Sequence, residues 1–370
     1  MATESSDESS DDSKKSPLRK GWSTGACATA AAQAAYGAIL TGHFEDPVTI
    51  TLPRGETPVF ALAEAEIVAD DTASAAIIKD AGDDPDVTHL ALIRAQVRLG
   101  EAGSGVSFRA GDGVGTVTLP GLPVAVGEPA INPVPRRMMA MAIALLAEAH
   151  GAPGDVEITI SVADGERLAA QTMNARLGIL GGLSILGTTG IVTPYSCSAW
   201  IASIHQGVDV ARAAGIRHVA GATGKTSESA VRKLYELEEQ AMLEMGDFAG
   251  ALLKYIRRHP ISRLTIAGGF AKLSKLAQGH MDLHSGRSAV DIDILAGHLS
   301  ELDAAPEIVS QARAAASAGA VLALAGELPL AQTVAAEALN VARDRLQDTE
   351  IAVDVTIFDR SGNLIGHACP

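Results

Sequence analysis

The chain has 370 residues, 47% of them hydrophobic, enough for two domains of ordinary size with filled cores. Its formal charge is −15, of which residues 1–16 carry −3, and a body still at −12 excludes nucleic acid and anionic membrane as partners. No apolar stretch approaches the roughly 20 residues of a membrane span, and three cysteines with no close pair (Cys27, Cys197, Cys369) exclude a disulfide framework and a zinc knuckle. A reducing cytoplasm is the expected location.

Residues 1–16 alternate Ser with Asp and Glu, lack an apolar h-region and are expected to be a disordered acidic tail. A first helix is expected over residues 23–40, with Ser23 and Thr24 as caps and Gly25 allowing close backbone approach. Strands are expected over 48–52, 59–68 and 91–99, then an apolar helix over 136–150 behind the prolines at 133 and 135. Residues 155–162 alternate well, and Ala163-Asp164-Gly165 supplies a hairpin turn before a strand over 167–171. The N-terminal domain, residues 17–177, therefore reads as mixed α+β with antiparallel pairing.

The style changes after the glycine-rich run 178–190. Helices at 199–214, 227–242 and 248–258 alternate with strands at 216–220 and 263–267, followed by helices to about 347. That order predicts βαβ units and a partly parallel sheet for a C-terminal α/β domain over 178–347. Residues 348–370 form a hairpin about an Arg360-Ser361-Gly362-Asn363 turn; its alternation matches residues 155–171, which makes it a segment able to pair back onto the N-terminal domain.

Five strings carry the functional signal: LRKGWSTGACA at 18–28; IKDAGDDPDVT at 78–88; GDGVG at 111–115 with GEPAINPVPR at 127–136; NARLGILGGLSILGTTGIV at 174–192; and GGFAKLSKLAQGHMDLHS at 268–285. In order and content they resemble the cobalt-precorrin-5B C1-methyltransferases, the CbiD family, across residues 17–300. Ala271 and the segment Pro194-Tyr195-Ser196-Cys197 depart from the usual family pattern. The resemblance implies methylation of C1 of a corrin precursor, S-adenosylmethionine as donor and co-substrate, and two domains, the first like the ribosomal S5 domain 2-like architecture. It implies an anionic corrin precursor as partner; homo-oligomerisation stays open.

The residues themselves suggest the roles. Unshielded amides at Gly181, Gly182 and Gly187, with hydroxyls at Ser184, Thr188 and Thr189, suit a carboxylate or nucleoside held by main chain; a tight interdomain turn is the alternative. Gly221-Ala222-Thr223-Gly224-Lys225-Thr226 lies between a strand and a helix but fails the Walker spacing, which leaves Gly224 and Glu228 as donor-site candidates at a helix N-terminus, or a plain cap. Asp80, Asp83, Asp84 and Asp86 crowd one loop. Oxygen ligands at this density suit Mg²⁺ or Ca²⁺, but Gly82 and Pro85 already account for a turn, so capping is favoured and no metal is assigned.

Lys272, Lys275, His280, His284 and Arg287 concentrate cationic and donor groups around one acid, Asp282. This reads as a dock for substrate carboxylates, joined by Arg136, Arg137 and Arg176, against a solvated surface as the alternative. His280 and His284 are the candidates for a base, should the ring have to lose a proton. Two rival functions remain: a phosphate-handling nucleotide enzyme built on residues 221–226, and a carrier that binds a tetrapyrrole without catalysis.

Overall fold

The computed structural model describes residues 17–347 and 349–370. The expected acidic tail, residues 1–16, lies outside them. The N-terminal elements are β1 (Gly21–Trp22), α1 (Thr24–Thr41), β2 (Val48–Thr49), β3 (Val59–Phe60), β4 (Glu64–Ala69), β5 (Thr72–Ile78), β6 (Leu92–Leu99), β7 (Val106–Ala110), β8 (Thr116–Val117), α2 (Pro133–His150), β9 (Val156–Val162), α3 (Gly165–Ala169), β10 (Ile179–Leu180) and β11 (Ile191–Val192). Five strands form a sheet in the order β4-β5-β6-β9-β7, antiparallel except for the β7–β9 pair.

Alternation in β6 and β9 turns Ile93, Ala95, Val97, Ile158 and Ile160 into a core with α1 and α2. Alanine dominates α1, where Ala26, Ala28 and Ala30 to Ala32 are fully buried. Side chains this small let the helix lie close to α2 on one side and to the sheet on the other. Ser23 caps it by accepting from Ala26 N at 3.2 Å, and Gly42 ends it in the left-handed region at φ 80°.

The C-terminal elements are α4 (Cys197–Ala213), β12 (His218–Ala222), α5 (Lys225–Tyr235), a 3₁₀ turn Glu239–Ala241, β13 (Met242–Leu243), α6 (Ala249–Arg258), β14 (Arg263–Gly269), α7 (Phe270–Ala277), α8 (Ile292–Glu301), α9 (Pro306–Arg313), α10 (Ala318–Ala325), α11 (Leu330–Leu346), β15 (Ala352–Phe358) and β16 (Leu364–Ala368). The sheet order is β13-β12-β14-β15-β16, parallel but for the last pair. A separate core packs Leu264, Ile266, Val353 and Val355 against α4, α6, α7 and α11, while α5 covers the opposite face. Both halves mix helix and strand as expected, and among the described residues no helix is long and apolar enough to cross a membrane.

Several expectations are corrected. Residues 163–171 do not form a hairpin: Asp164, at φ 55°, leads into the short helix α3, and β9 pairs with β6 and β7 instead. Gly165 packs against the Gly113 backbone so tightly that a Cβ would sit 2.2 Å from Gly113 O, which turns the chain away from the sheet. The strand expected at 59–68 is broken into β3 and β4, and the helix expected at 227–242 stops at Tyr235, where Glu236 takes φ 52°.

Residues 178–192 pair with N-terminal segments, β10 with β8 and β11 with β1, rather than opening the second sheet. The last hairpin does not return to the N-terminal half. It joins the C-terminal sheet, β15 lying parallel to β14 from Ala352 to Phe358.

Candidate active site

The first two strings meet backbone against backbone. A Cβ on Gly21 would lie 2.0 Å from Ala81 C, and one on Gly82, already at φ 69°, would lie 2.2 Å from Arg19 O. Asp80 forms a fork with Arg19, its second contact at 2.9 Å, and also accepts from Gly82 N; these two interactions hold its carboxyl down to about 2. Asp83 accepts from Arg19 N at 2.6 Å and Asp84 from Tyr195 N at 2.8 Å. The acidic loop thus spends these carboxylates on an arginine and on main-chain donors.

Asp86 is used differently. Its Oδ2 accepts at 2.7 Å from the ammonium of Lys79, which is 1% exposed, and its Oδ1 accepts from both Thr88 N and Thr88 Oγ1 at 2.7 Å. Burial alone would raise the Asp86 carboxyl, but the Lys79 charge and these hydrogen bonds bring it below its ordinary value. The pair stands on the wall of a cavity of about 250 Å³.

Four of the five strings contribute to that cavity. Ser23 and Asn132, the residues that precede the first turns of α1 and α2, both line it, so the positive ends of two 18-residue helices meet there. The glycine-rich string adds Asn174 and Ser184: Asn174 Nδ2 donates to Gly182 O at 3.1 Å, and Ser184 Oγ donates to Asn174 Oδ1 at 3.3 Å. Thr24 Oγ1 donates to Leu186 O at 3.2 Å and accepts from Leu186 N at 2.9 Å, which stitches that string to α1. Ser203 and Gln206 of α4 close the remaining side.

A second place lies at the carboxyl ends of β12 and β14. The chain leaves β12 into α5 on one face of the sheet and leaves β14 into α7 on the other, which creates the kind of crevice where open α/β sheets bind ligands. Its floor is held by Thr223 N donating to Ala267 O at 2.9 Å and by Lys272 Nζ donating to Thr223 O at 2.8 Å. Gly224 and Gly269 border open space, with no heavy atom within 4 Å of where a Cβ would stand. Arg176 ties this crevice to the N-terminal half through its pair with Glu228 in the first turn of α5 and through Glu239 at 3.4 Å.

The residues expected to bind donor divide between these places. Ser184 lines the cavity and Gly224 the crevice rim, but Glu228 is engaged by Arg176. Gly182 and Gly187 serve packing: a Cβ would meet Gly113 backbone at 2.3 Å and Ser23 Oγ at 2.2 Å respectively. Gly181, at φ 83°, and Thr188 are exposed, and the Thr189 hydroxyl turns back onto Ile191.

The expected cationic dock is not a surface of free charges. Lys275 is 7% exposed and its ammonium donates to Leu283 O at 2.9 Å; Lys272 faces Thr223 O and, at 3.0 Å, the Asp247 carboxylate. Asp282 is paired with Arg287, which also reaches Cys197 Sγ at 2.9 Å. Arg136 clamps its own loop, donating to Ile131 O at 2.8 Å and Pro129 O at 3.0 Å. The exposed His284 accepts from Gly286 N at 3.1 Å, and the loop carrying it and the half-buried His280 is fastened to the crevice edge by Leu283 N donating to Asp247 O at 2.8 Å.

Lys79, Asn174, Ser203 and Gln206 escaped sequence reasoning as site residues. A signal for one of them existed: Lys79 directly follows the apolar run 75–78, and a lysine in that position is buried only when paired.

The comparisons with known proteins agree on one family. The CbiD family model matches residues 11–194 and the model of the CbiD C-terminal domain matches residues 282–369. A protein of Paramagnetospirillum magneticum named cobalt-precorrin-5B C(1)-methyltransferase is 60% identical, over 95% of this chain and 98% of its own length. Proteins of the same name from Rhodospirillum rubrum and Halorhodospira halophila are 59% and 52% identical, over 94% and 99% of this chain and 97% and 98% of their own lengths. A crystal structure of a cobalamin biosynthesis protein (CbiD) from Archaeoglobus fulgidus is 27% identical, covers 68% of this chain and 77% of its own, and superposes with a TM-score of 0.38. With more than half of its residues identical to those relatives along nearly its whole length, the chain belongs to the CbiD family.

Proposed function

We propose that this protein methylates C1 of cobalt-precorrin-5B, giving cobalt-precorrin-6A, with S-adenosylmethionine as donor, in cobalamin biosynthesis. The observation that carries the reading is the 60% identity, over 95% of the chain, to a protein of that name. In the reaction the sulfonium–methyl bond breaks as a carbon–carbon bond forms to the ring, and adenosylhomocysteine leaves. The macrocycle is the nucleophile, so the protein's task is to align donor and acceptor and to exclude water.

The crevice at β12 and β14 suits the donor. Its two glycines leave main chain open to a nucleoside, and the first turn of α5 offers amides beside it. The macrocycle then lies between this crevice and the cavity of the N-terminal half, the interval that Arg176 bridges. Should the ring have to lose a proton, His280 and His284, on the loop tied to the crevice edge, are the bases this reading assigns.

The separate cores support a division into an N-terminal α+β unit that includes residues 178–192 and a C-terminal α/β unit. The antiparallel sheet backed by α1 and α2 is the part to which the S5-like description applies, and the composition suits a cytoplasmic enzyme. Incubation with methyl-labelled adenosylmethionine and cobalt-precorrin-5B tests the activity. Label at C1 with stoichiometric adenosylhomocysteine is expected; tetrapyrrole binding without adenosylhomocysteine would make the protein a carrier.

A further inference from the structure

The cavity beside Lys79 has a donor–acceptor balance that the methyl transfer itself does not explain. An ammonium has three N–H groups, and Lys79, 1% exposed, directs one of them at Asp86. Asp86 is nearly saturated in return, since one oxygen takes Lys79 and the other takes two bonds from Thr88. Further donors are unspent among the described residues: the Ser23 hydroxyl accepts from Ala26 N and donates to none of them, and the side-chain amides of Asn132 and Gln206 make no hydrogen bond to them. Among the described residues Asp86 is the only carboxylate on the wall.

The space therefore offers spare donors and no uncommitted carboxylate, and the N-termini of α1 and α2 add positive potential to it. Leu122, Leu177 and Leu183 give the rest of the wall an apolar character. A volume of about 250 Å³ admits a short aliphatic arm but not a macrocycle.

We propose that this cavity is a carboxylate pocket, in which the spare N–H groups of Lys79 and the side chains of Ser23, Asn132 and Gln206 hold the end of an aliphatic acid arm. An α-amino group fits less well, because the anionic acceptor that would pair with it, Asp86, is already occupied by Lys79 and Thr88. The proposal rests on the methyltransferase reading only for the two sources of such an arm: a side chain of the corrin precursor, or the amino-acid end of the donor.

The test titrates the full chain with three probes: a cobalt corrin carrying free carboxylates, the same corrin with every carboxylate methyl-esterified, and adenosylhomocysteine. Gln206→Glu places a like charge on the α4 wall and leaves the Lys79–Asp86 pair alone. Lys79→Met combined with Asp86→Asn removes the ammonium without leaving a charge buried by itself. For the free-acid corrin both variants are expected to lose about tenfold or more in affinity, with the ester binding wild type and variants equally. Loss confined to adenosylhomocysteine assigns the pocket to the donor's carboxylate and upholds the chemistry. Unchanged affinity for both ligands in both variants overturns it. So does an equal loss for acid and ester, or a wild type that binds none of the probes. A wild type with Gln206-sensitive corrin binding that forms no methylated ring overturns the methyltransferase reading alone.

Discussion

Replacing Lys275 by Met separates two uses of a lysine on α7. Its ammonium is inside the protein, donating to Leu283 O at 2.9 Å with 7% of the residue exposed, so it fastens the loop that carries His280 and His284. Methionine keeps much of the stem's volume and removes one charge-assisted hydrogen bond, worth about 1.5–3 kcal/mol, while stranding the Leu283 carbonyl. Part of that is returned by the lower cost of burying a neutral group, and a net loss of ~2 kcal/mol is expected. At roughly 2–4 °C per kcal/mol for domains of ordinary size, the melting temperature should fall by ~4–8 °C. Denaturation by urea, followed by circular dichroism, checks the free energy, and corrin titration of the folded variant checks the role. A melting temperature unchanged within about 1 °C, together with a tenfold weaker corrin affinity, would refute the inward role and restore Lys275 to the substrate surface.

Gly82→Ala should be severely destabilising, by about 3 kcal/mol or more, since it adds left-handed strain at φ 69° to a Cβ contact of 2.2 Å with Arg19 O; the urea midpoint reads it directly. The Asp80 carboxyl is lowered in the folded protein from 3.8 to about 2, so its contribution is complete above the ordinary carboxylate pKa and is lost as pH falls through about 2. Asp80→Asn should then flatten the acid limb of stability in that window, modestly because the pair with Arg19 is exposed, and an unchanged limb would count against the fork. Arg176→Met and Glu228→Gln should couple by about 1 kcal/mol in a double-mutant cycle of stability, and additive effects would show that the bridge between the two halves carries no energy.

The legible parts of the fold were those with local signals. The Ser23 cap, the alanine run of α1, the prolines before α2 and the alternation of β6 and β9 each determine their element through neighbours in sequence. β5 was not anticipated: Thr72 to Ile77 is buried on both faces with small side chains, so it shows neither alternation nor bulk. The failed hairpin at 163–171 has a non-local cause, because Gly113 decides where Gly165 packs. The same holds for the site. The strings were visible, yet glycines that looked like ligand loops at 182 and 187 turned out to receive another segment's backbone or side chain. The lysines at 272 and 275 showed their charge in the sequence but not the carbonyls that consume it. The Cys27 thiol is enclosed, with burial pushing it up to about 12.

For an acidic protein to accept the acidic ligand proposed above, its attraction has to be confined. The body carries −12, and of the arginines and lysines that sequence placed at the dock all but the exposed Arg137 are bound to Glu228, Asp247, Asp282 or main chain. The unspent donors of the cavity, at Lys79, Ser23, Asn132 and Gln206, are enclosed instead. Salt distinguishes the two arrangements. Going from about 0.1 M to about 1 M shortens the screening length from ~10 Å to ~3 Å, which weakens exposed contacts strongly and enclosed ones little. The same screening relieves repulsion between the acidic body and an anionic ligand. The affinity for a free-acid corrin is therefore expected to stay within about threefold over that range, or to rise. A fall of more than about tenfold would place recognition on exposed cations and return the search to Arg137 and the α7 rim.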